Sequence, residues 1–202
     1  MPPIRVDKFD VVVFRALNQH AGSIPVLDAI MTFLAEYALE LDALWLIVAW
    51  FTLPREDEEK RHALVVAVAG GALALLVNVV IGTLWYRARP FTYAGFGAHK
   101  LIPHSADGSF PSDHTSGGFG IASALWGQGP RWLCWTFTIC STVVAVARIY
   151  VGVHWPTDVI AGMVIGIGAG RLAHGFSRPL RVVTNLGLRM FRMGQYAGHL
   201  RR

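Results

Sequence analysis

Charge is scarce in this sequence. Asp, Glu, Lys and Arg make up 15% of its 202 residues against 53% hydrophobic, which excludes an ordinary soluble domain of this length and indicates a small integral membrane protein. Cysteine is scarcer still. Cys134 and Cys140 share one apolar run at a spacing that keeps them off a common helix face, so neither a disulfide framework nor a zinc site is indicated. The N-terminal stretch lacks a compact apolar core with a small-residue cleavage site, and Asp7 and Asp10 interrupt it, so no cleavable signal peptide is expected. The segment from Arg171 onward has seven arginines and no acidic residue. A net charge of +5 could suggest nucleic acid. The basic residues gather at the ends of apolar runs and in that tail, however, so membrane flanks account for them better and no nucleic-acid partner is expected.

What is present is a series of apolar runs broken by short polar segments. Val6, Phe9, Val13 and Leu17 recur at helical spacing beside Arg5, Lys8 and Arg15, which predicts an amphipathic helix on the membrane surface within residues 1–22. From Pro25 a helical stretch carries Asp28, Glu36, Glu40 and Asp42 into the apolar run Ala43 to Leu53. That run is shorter than the about 20 residues a span requires and must borrow residues upstream. Residues 54–62 are a solvated charged loop, and Ala63 to Trp85 is long enough to cross, with Asn78 read as a helix-packing residue. Ser116 to Trp126, Trp132 to Ala147 and Val159 to Leu172 are further apolar helices. Gly162, Gly166 and Gly170 give the last of them a flat face for a close neighbour. Residues 173–202 read as a basic, membrane-surface tail on the cytoplasmic side. The expectation is one all-α domain over residues 1–202, a bundle of about five or six transmembrane helices with a polar site at one membrane face.

The polar segments carry the chemistry. Arg148 to Asp158 sets a cation, an imidazole and a carboxylate between two apolar runs. Pro156 suits the first turn of a helix, which puts Asp158 near its third position and His154 just outside. Asp158 then reads either as a helix-start carboxylate or as the acceptor that fixes the tautomer of His154, and Arg148 either as a snorkelling boundary residue or as an anion ligand. The segment from Phe91 to Pro111 is long for a loop without a function, and it leads into Ser109-Phe110-Pro111-Ser112-Asp113-His114-Thr115. His99 and His104 read as wet loop residues. With the tail in the cytoplasm, counting spans backward puts both polar loops on the opposite membrane face.

That shared face would offer Arg87, Arg89 and Arg148 as cations, Ser112 and helix-start amides as donors, and the imidazoles of His114 and His154, with Asp113 counted among the phosphate-binding residues beside Arg87, Arg89, Ser112 and Arg148. The set suits phosphate oxygens and phosphoryl transfer. Its chemistry is a two-step displacement, with His154 as nucleophile and His114 as the proton carrier. Only Asp113 and Asp158 could add carboxylates to a metal site, so no metal and no cofactor are expected. A non-catalytic lipid-binding or transport protein is the reading from another class.

Three segments, Arg89-Pro90, Pro111-Ser112-Asp113-His114 and Arg148-x5-His154-x3-Asp158, resemble in order, spacing and apolar surroundings the three-part signature of the type 2 phosphatidic acid phosphatase superfamily, K-x6-R-P, P-S-G-H and S-R-x5-H-x3-D. The resemblance implies a metal-independent membrane phosphatase. It implies His154 as nucleophile, Asp158 as its orienter, His114 as acid and base, and Arg89, Ser112 and Arg148 as phosphate ligands. Gly82 stands at the family's lysine, which Arg87 or Lys100 would have to replace, Asp113 stands at its glycine, and Ala147 at the serine before Arg148. The forms W-Y-R-A-R-P-F, S-F-P-S-D-H and R-I-Y-V-G-V-H-W-P-T-D look most like the bacterial undecaprenyl-diphosphate phosphatase branch. This implies a site on the outer side of the cytoplasmic membrane, a role in cell-wall synthesis, and hydrolysis of undecaprenyl diphosphate, a polyprenyl lipid substrate, to undecaprenyl phosphate and inorganic phosphate. Phosphatidate or phosphatidylglycerol phosphate is the alternative substrate, and oligomeric state is left open.

Overall fold

Prolines and carboxylates set where the helices begin. The computed structural model describes residues 6–197, and among them run α1 Lys8–Asn18, α2 Pro25–Thr52, α3 Glu58–Leu84, α4 Asp113–Leu125, α5 Arg131–Tyr150, α6 Pro156–Gly175 and α7 Ser177–Met190. Pro25 and Pro156 sit in the first turns of α2 and α6, where a missing N–H removes no helical bond. The Asp57 side chain caps α3, accepting from the Lys60 amide at 3.2 Å, and Glu58 and Glu59 face the positive end of its dipole. The apolar run at Ala43 does extend upstream: α2 is one unbroken helix of 28 residues. Of its carboxylates only Asp42 is buried.

Helices α2 to α6 run alternately between two ends of an all-α bundle. By length and composition α3 and α5 could each cross a bilayer alone, and α6 with α7, bent by 80° between them, makes a third candidate. The central helix is the short one. α4 has 13 residues and is buried from Thr115 to Leu125, about 20 Å of helix inside neighbours that are longer. Small residues let it be enclosed. A Cβ at Gly70 of α3 would meet the Gly120 carbonyl oxygen at 2.8 Å, and Cβ atoms at Gly166 and Gly170 of α6 would come within 2.4 Å of the Ser116 oxygen and 2.5 Å of the Gly120 oxygen. The glycine stripe read from the sequence is therefore the seam between α4 and α6.

Both terminal segments are docked onto the bundle. On α1 the buried residues are Asp10, Phe14 and Asn18, one helix face at four-residue spacing. The face expected from the sequence is displaced: Phe9 is exposed, while Val6, Val13 and Leu17 are half-buried. Phe14 packs on Trp155 at 5.3 Å between ring centroids. Asn18 ties down the long loop, donating to the carbonyls of His99 at 2.8 Å and Tyr150 at 2.7 Å and accepting from the His99 amide at 2.8 Å. At the other end of the bundle α7 bonds to α3, His62 pairing with Thr184 at 2.7 Å and with Ser177 at 2.8 Å. Its outward face shows Val182, Val183, Leu186 and Met190, as a membrane-surface helix would. The expected segments 1–22 and 173–202 extend at their ends, with Arg5, Arg201 and Arg202, outside the described residues.

Candidate active site

The last turn of α5 and the five residues that follow it build the site. Val153 and His154 both return their amides to the Arg148 carbonyl, each at 3.3 Å, which folds the connection to α6 tightly under the end of α5. Gly152 makes the reversal possible. Its φ is +85°, and a Cβ there would lie 2.2 Å from the His99 carbonyl oxygen, so only glycine fits both the turn and the loop packed on it. That loop is in turn held to the strand-like segment after α3, where Ala88 bridges Gly108 and the Ser109 amide donates to the Arg87 carbonyl at 2.8 Å.

These constraints aim His154. Its Nδ1 lies 2.8 Å from the Ser109 carbonyl oxygen, and because a carbonyl only accepts, Nδ1 carries the proton and Nε2 keeps its lone pair. Nε2 faces two guanidiniums, Arg89 Nη1 at 3.3 Å and Arg148 Nη2 at 3.2 Å. Burial, then the charges of Arg148 and Arg89, push the imidazole well below its ordinary range, so it is neutral at neutral pH. Each arginine is fixed by its other donors. Arg89 donates to Asp107 Oδ1 at 2.7 Å, the Val153 carbonyl at 3.0 Å and the Gly108 carbonyl at 2.8 Å. Arg148 donates to the Ala35 carbonyl at 2.7 Å, and its buried Nε has no acceptor among the described residues.

Asp158 sits under this cluster but does not bond the imidazole as expected. His154 Nδ1 is 3.6 Å from Asp158 Oδ2, and the Ser109 carbonyl, closer by far, takes the proton. Asp158 fills its helix-start role, with Oδ2 accepting from the Trp155 amide at 2.9 Å. What it presents to His154, at 3.6 Å, is a carboxylate without a hydrogen bond. Ser112 lies against it, donating its amide to the Asp158 carbonyl at 3.2 Å, and His114 is near enough for its charge to bear on His154.

Two expected phosphate ligands are placed elsewhere. Arg87 is turned to the far side of Asp158, bonded to Asp158 Oδ1 at 2.6 Å, to Thr157 Oγ1 at 2.6 Å and to Asp10. Its donors meet carboxylates, which hold a cation more firmly than an open pocket would. Asp113 is exposed and accepts from Asn78 Nδ2 at 2.8 Å, while Asn78 Oδ1 accepts from Ser116 Oγ at 3.1 Å. It is a link between α3 and α4, and an acceptor-only carboxylate offers nothing to a phosphate. Nor does Lys100 replace the lysine absent at Gly82. Its Nζ donates to the His104 carbonyl at 2.7 Å and lies 4.1 Å from the centre of the Phe91 ring.

Two loop residues join the site that sequence reasoning assigned to solvent or passed over. His104 Nε2 is 3.3 Å from Arg148 Nη2, and Asp107 bonds Arg89. The only sequence signal for them was the length of the loop that carries them.

Cations and imidazoles thus converge at one end of an all-helical bundle, a set suited to phosphate oxygens. The sequence profile of the PAP2 superfamily matches residues 63–181, and the chain belongs to that superfamily. Undecaprenyl-diphosphatase BcrC of Bacillus subtilis (strain 168) is 36% identical over 179 residues, 89% of this chain and 90% of its own length. Lipid A 1-phosphatase of Rhizobium johnstonii is 35% identical over 150 residues, 62% of this chain and 59% of its own. The crystal structure of Aquifex aeolicus LpxE has the same fold, with a TM-score of 0.71 at 24% identity over 85% of this chain and 98% of that one. The protein is a membrane lipid phosphatase.

Proposed function

We propose that the chain hydrolyses undecaprenyl diphosphate to undecaprenyl phosphate and inorganic phosphate through a phosphohistidine on His154. The observation that carries this is Nε2 of His154, unprotonated because Nδ1 is held by the Ser109 carbonyl, and flanked by Arg89 and Arg148. In the first step the Nε2 lone pair attacks the terminal phosphorus. The bond to the bridging oxygen breaks, and His114 as imidazolium gives that oxygen its proton. In the second step water attacks the phosphohistidine, neutral His114 takes the proton of the water, and the P–N electron pair returns to Nε2. Arg89, Arg148 and Ser112 stabilise the oxygens of the transferring group throughout. The negative charge of the substrate is what favours the imidazolium form of His114.

A place for the lipid chain lies beside this machinery. A cleft of about 490 Å³ among α2, α3 and α4, lined by Leu39, Ala43, Leu46, Leu75 and others, includes Gly117 in its lining, one turn beyond His114. The likeness to BcrC, which covers nearly the whole of both chains, supports the diphosphate. Arg55, Lys60, Arg61, Arg131 and the arginines of α7 gather at the end of the bundle opposite the site, which supports a cytoplasmic position for that end and an extracytoplasmic one for the site.

The test is phosphate release by the purified protein in detergent with chelator present, comparing undecaprenyl diphosphate with phosphatidate, phosphatidylglycerol phosphate and lipid A. Preference for the diphosphate is expected. Preference for any of the others would keep the mechanism and replace the substrate, and release by His154→Ala at the wild-type rate would end the mechanism itself.

A further inference from the structure

Asp10 is an unusual residue to bury. It lies on an N-terminal surface helix and is wholly shielded from solvent, where an unpaired carboxylate would be prohibitive. Its partners explain the burial. Oδ1 accepts from the Thr157 amide at 2.8 Å, and Oδ2 from Thr157 Oγ1 at 2.7 Å and from Arg87. The Thr157 amide is the first free N–H of α6, since Pro156 before it has none. Asp10 thus caps α6 from a helix 147 residues away in sequence. Arg87 then spans the two carboxylates, with one nitrogen on Asp10 and the other on Asp158 Oδ1, its guanidinium 5.6 Å from the centre of the Trp155 ring.

From this geometry we infer that Asp10 and Arg87 are positioning residues that set both the orientation and the effective charge of Asp158 beneath His154, which makes the first helix part of the catalytic apparatus. The inference rests on His154 being the nucleophile. With Oδ1 held by Arg87 and Oδ2 by the Trp155 amide, Asp158 cannot rotate to take the imidazole proton, and Ser109 keeps it. The three charges of Asp158, Arg87 and Asp10 alternate in sign. Removing the middle one leaves two carboxylates acting on His154, and removing the outer one leaves a neutral pair. The two changes must move the protonation of His154 in opposite directions. The other groups facing His154 stay unchanged in both: Arg148 from α5, Arg89 and His104 from the loop after α3, and His114 from α4.

The experiment is the pH profile of kcat/KM for phosphate release from farnesyl diphosphate, a soluble diphosphate, by the full-length protein in detergent from about pH 4 to about pH 8. Arg87→Gln is expected to move the acid limb up by about half a pH unit or more, Asp10→Asn to move it down by a similar amount, and the double variant to return it near wild type. Purely structural damage would accumulate in the double variant instead of cancelling. Limbs unmoved in both single variants, or moved the same way, overturn the inference. Should Arg87→Gln not fold, Arg87→Lys keeps the charge but reaches one carboxylate, so kcat falls about tenfold with KM and limb unchanged; an unaltered kcat would be just as decisive against the pair. His154→Ala assayed in parallel separates the two ideas. Its full activity would remove the mechanism, whereas its inactivity with immobile limbs would remove only the role of Asp10 and Arg87.

Discussion

Two arginines are buried at opposite ends of this bundle, and they differ in what their nitrogens meet. Arg61, at the end away from the site, donates Nε to the Trp50 carbonyl at 3.0 Å, Nη1 to Pro54 at 2.6 Å and Nη2 to Leu53 at 2.6 Å. It closes the C-terminus of α2, where helical carbonyls lack partners of their own. Arg148 is as deeply buried, yet its Nε meets no acceptor and its Nη2 faces two imidazole nitrogens. A buried cation whose every donor is satisfied by backbone is a structural part. One left with donors unused beside a neutral imidazole is what the proposed capture of an anionic phosphate requires.

Substitutions can sharpen that contrast. His154→Ala, which removes what Arg148 faces, is expected to lower turnover by at least about 10⁴-fold with the melting temperature retained. Arg148→Ala should reduce kcat/KM by about 10²- to 10³-fold, and lysine should not restore it, because a point charge cannot replace the planar donor set. Arg61→Ala should do the reverse. Stability falls by about 2–4 kcal/mol as the α2 carbonyls lose their partner, while the folded fraction keeps kcat within about threefold; a loss of kcat like that of Arg148→Ala would erase the distinction. The pH profile gives a further check. His154 is held well below 6.5 by burial and by Arg148 and Arg89, and it must be neutral to attack. Activity should therefore persist as pH falls through 6.5 and fail only at lower pH, and an acid limb centred on 6.5 would contradict the buried imidazole. Asp113→Asn, which keeps the Asn78 contact and removes only an exposed charge, should change kcat/KM by less than about threefold.

Much of this was legible beforehand because it is local. Pro156 opens α6 where its fixed φ predicts, Asp158 falls at the third position and caps the Trp155 amide, and Gly162, Gly166 and Gly170 mark the seam with α4. What could not be read depends on partners distant in sequence. Arg87 was grouped with Arg89 by proximity, but its direction is decided by Asp10 and Asp158, 77 and 71 residues away. The buried face of α1 is set in the same way, displaced from the apolar one although Val6 and Leu17 still pack on the core. Apolar periodicity selects Phe9 and Val13, whereas Asp10 and Asn18 are buried because polar partners on α6 and on the loop after α3 await them. Ser109, which sets the tautomer, acts through its carbonyl, and a main-chain oxygen leaves no mark in a sequence.

The seam between α4 and α6 has a consequence for how the protein meets its membrane. Backbone comes against backbone there, and Ser123 Oγ bonds across to the Gly166 and Ile167 carbonyls; such close-packed contacts are among the least compressible in a folded chain. The elements that begin at Asp113 and Pro156, and with them His114 and Asp158, are therefore expected to move as one body. When the surrounding lipid stiffens with cooling or thins with a change of acyl chain, the spacing of His114 and Asp158 is expected to hold. Bilayer state should govern how fast substrate arrives and product leaves, and leave the bond-breaking step untouched.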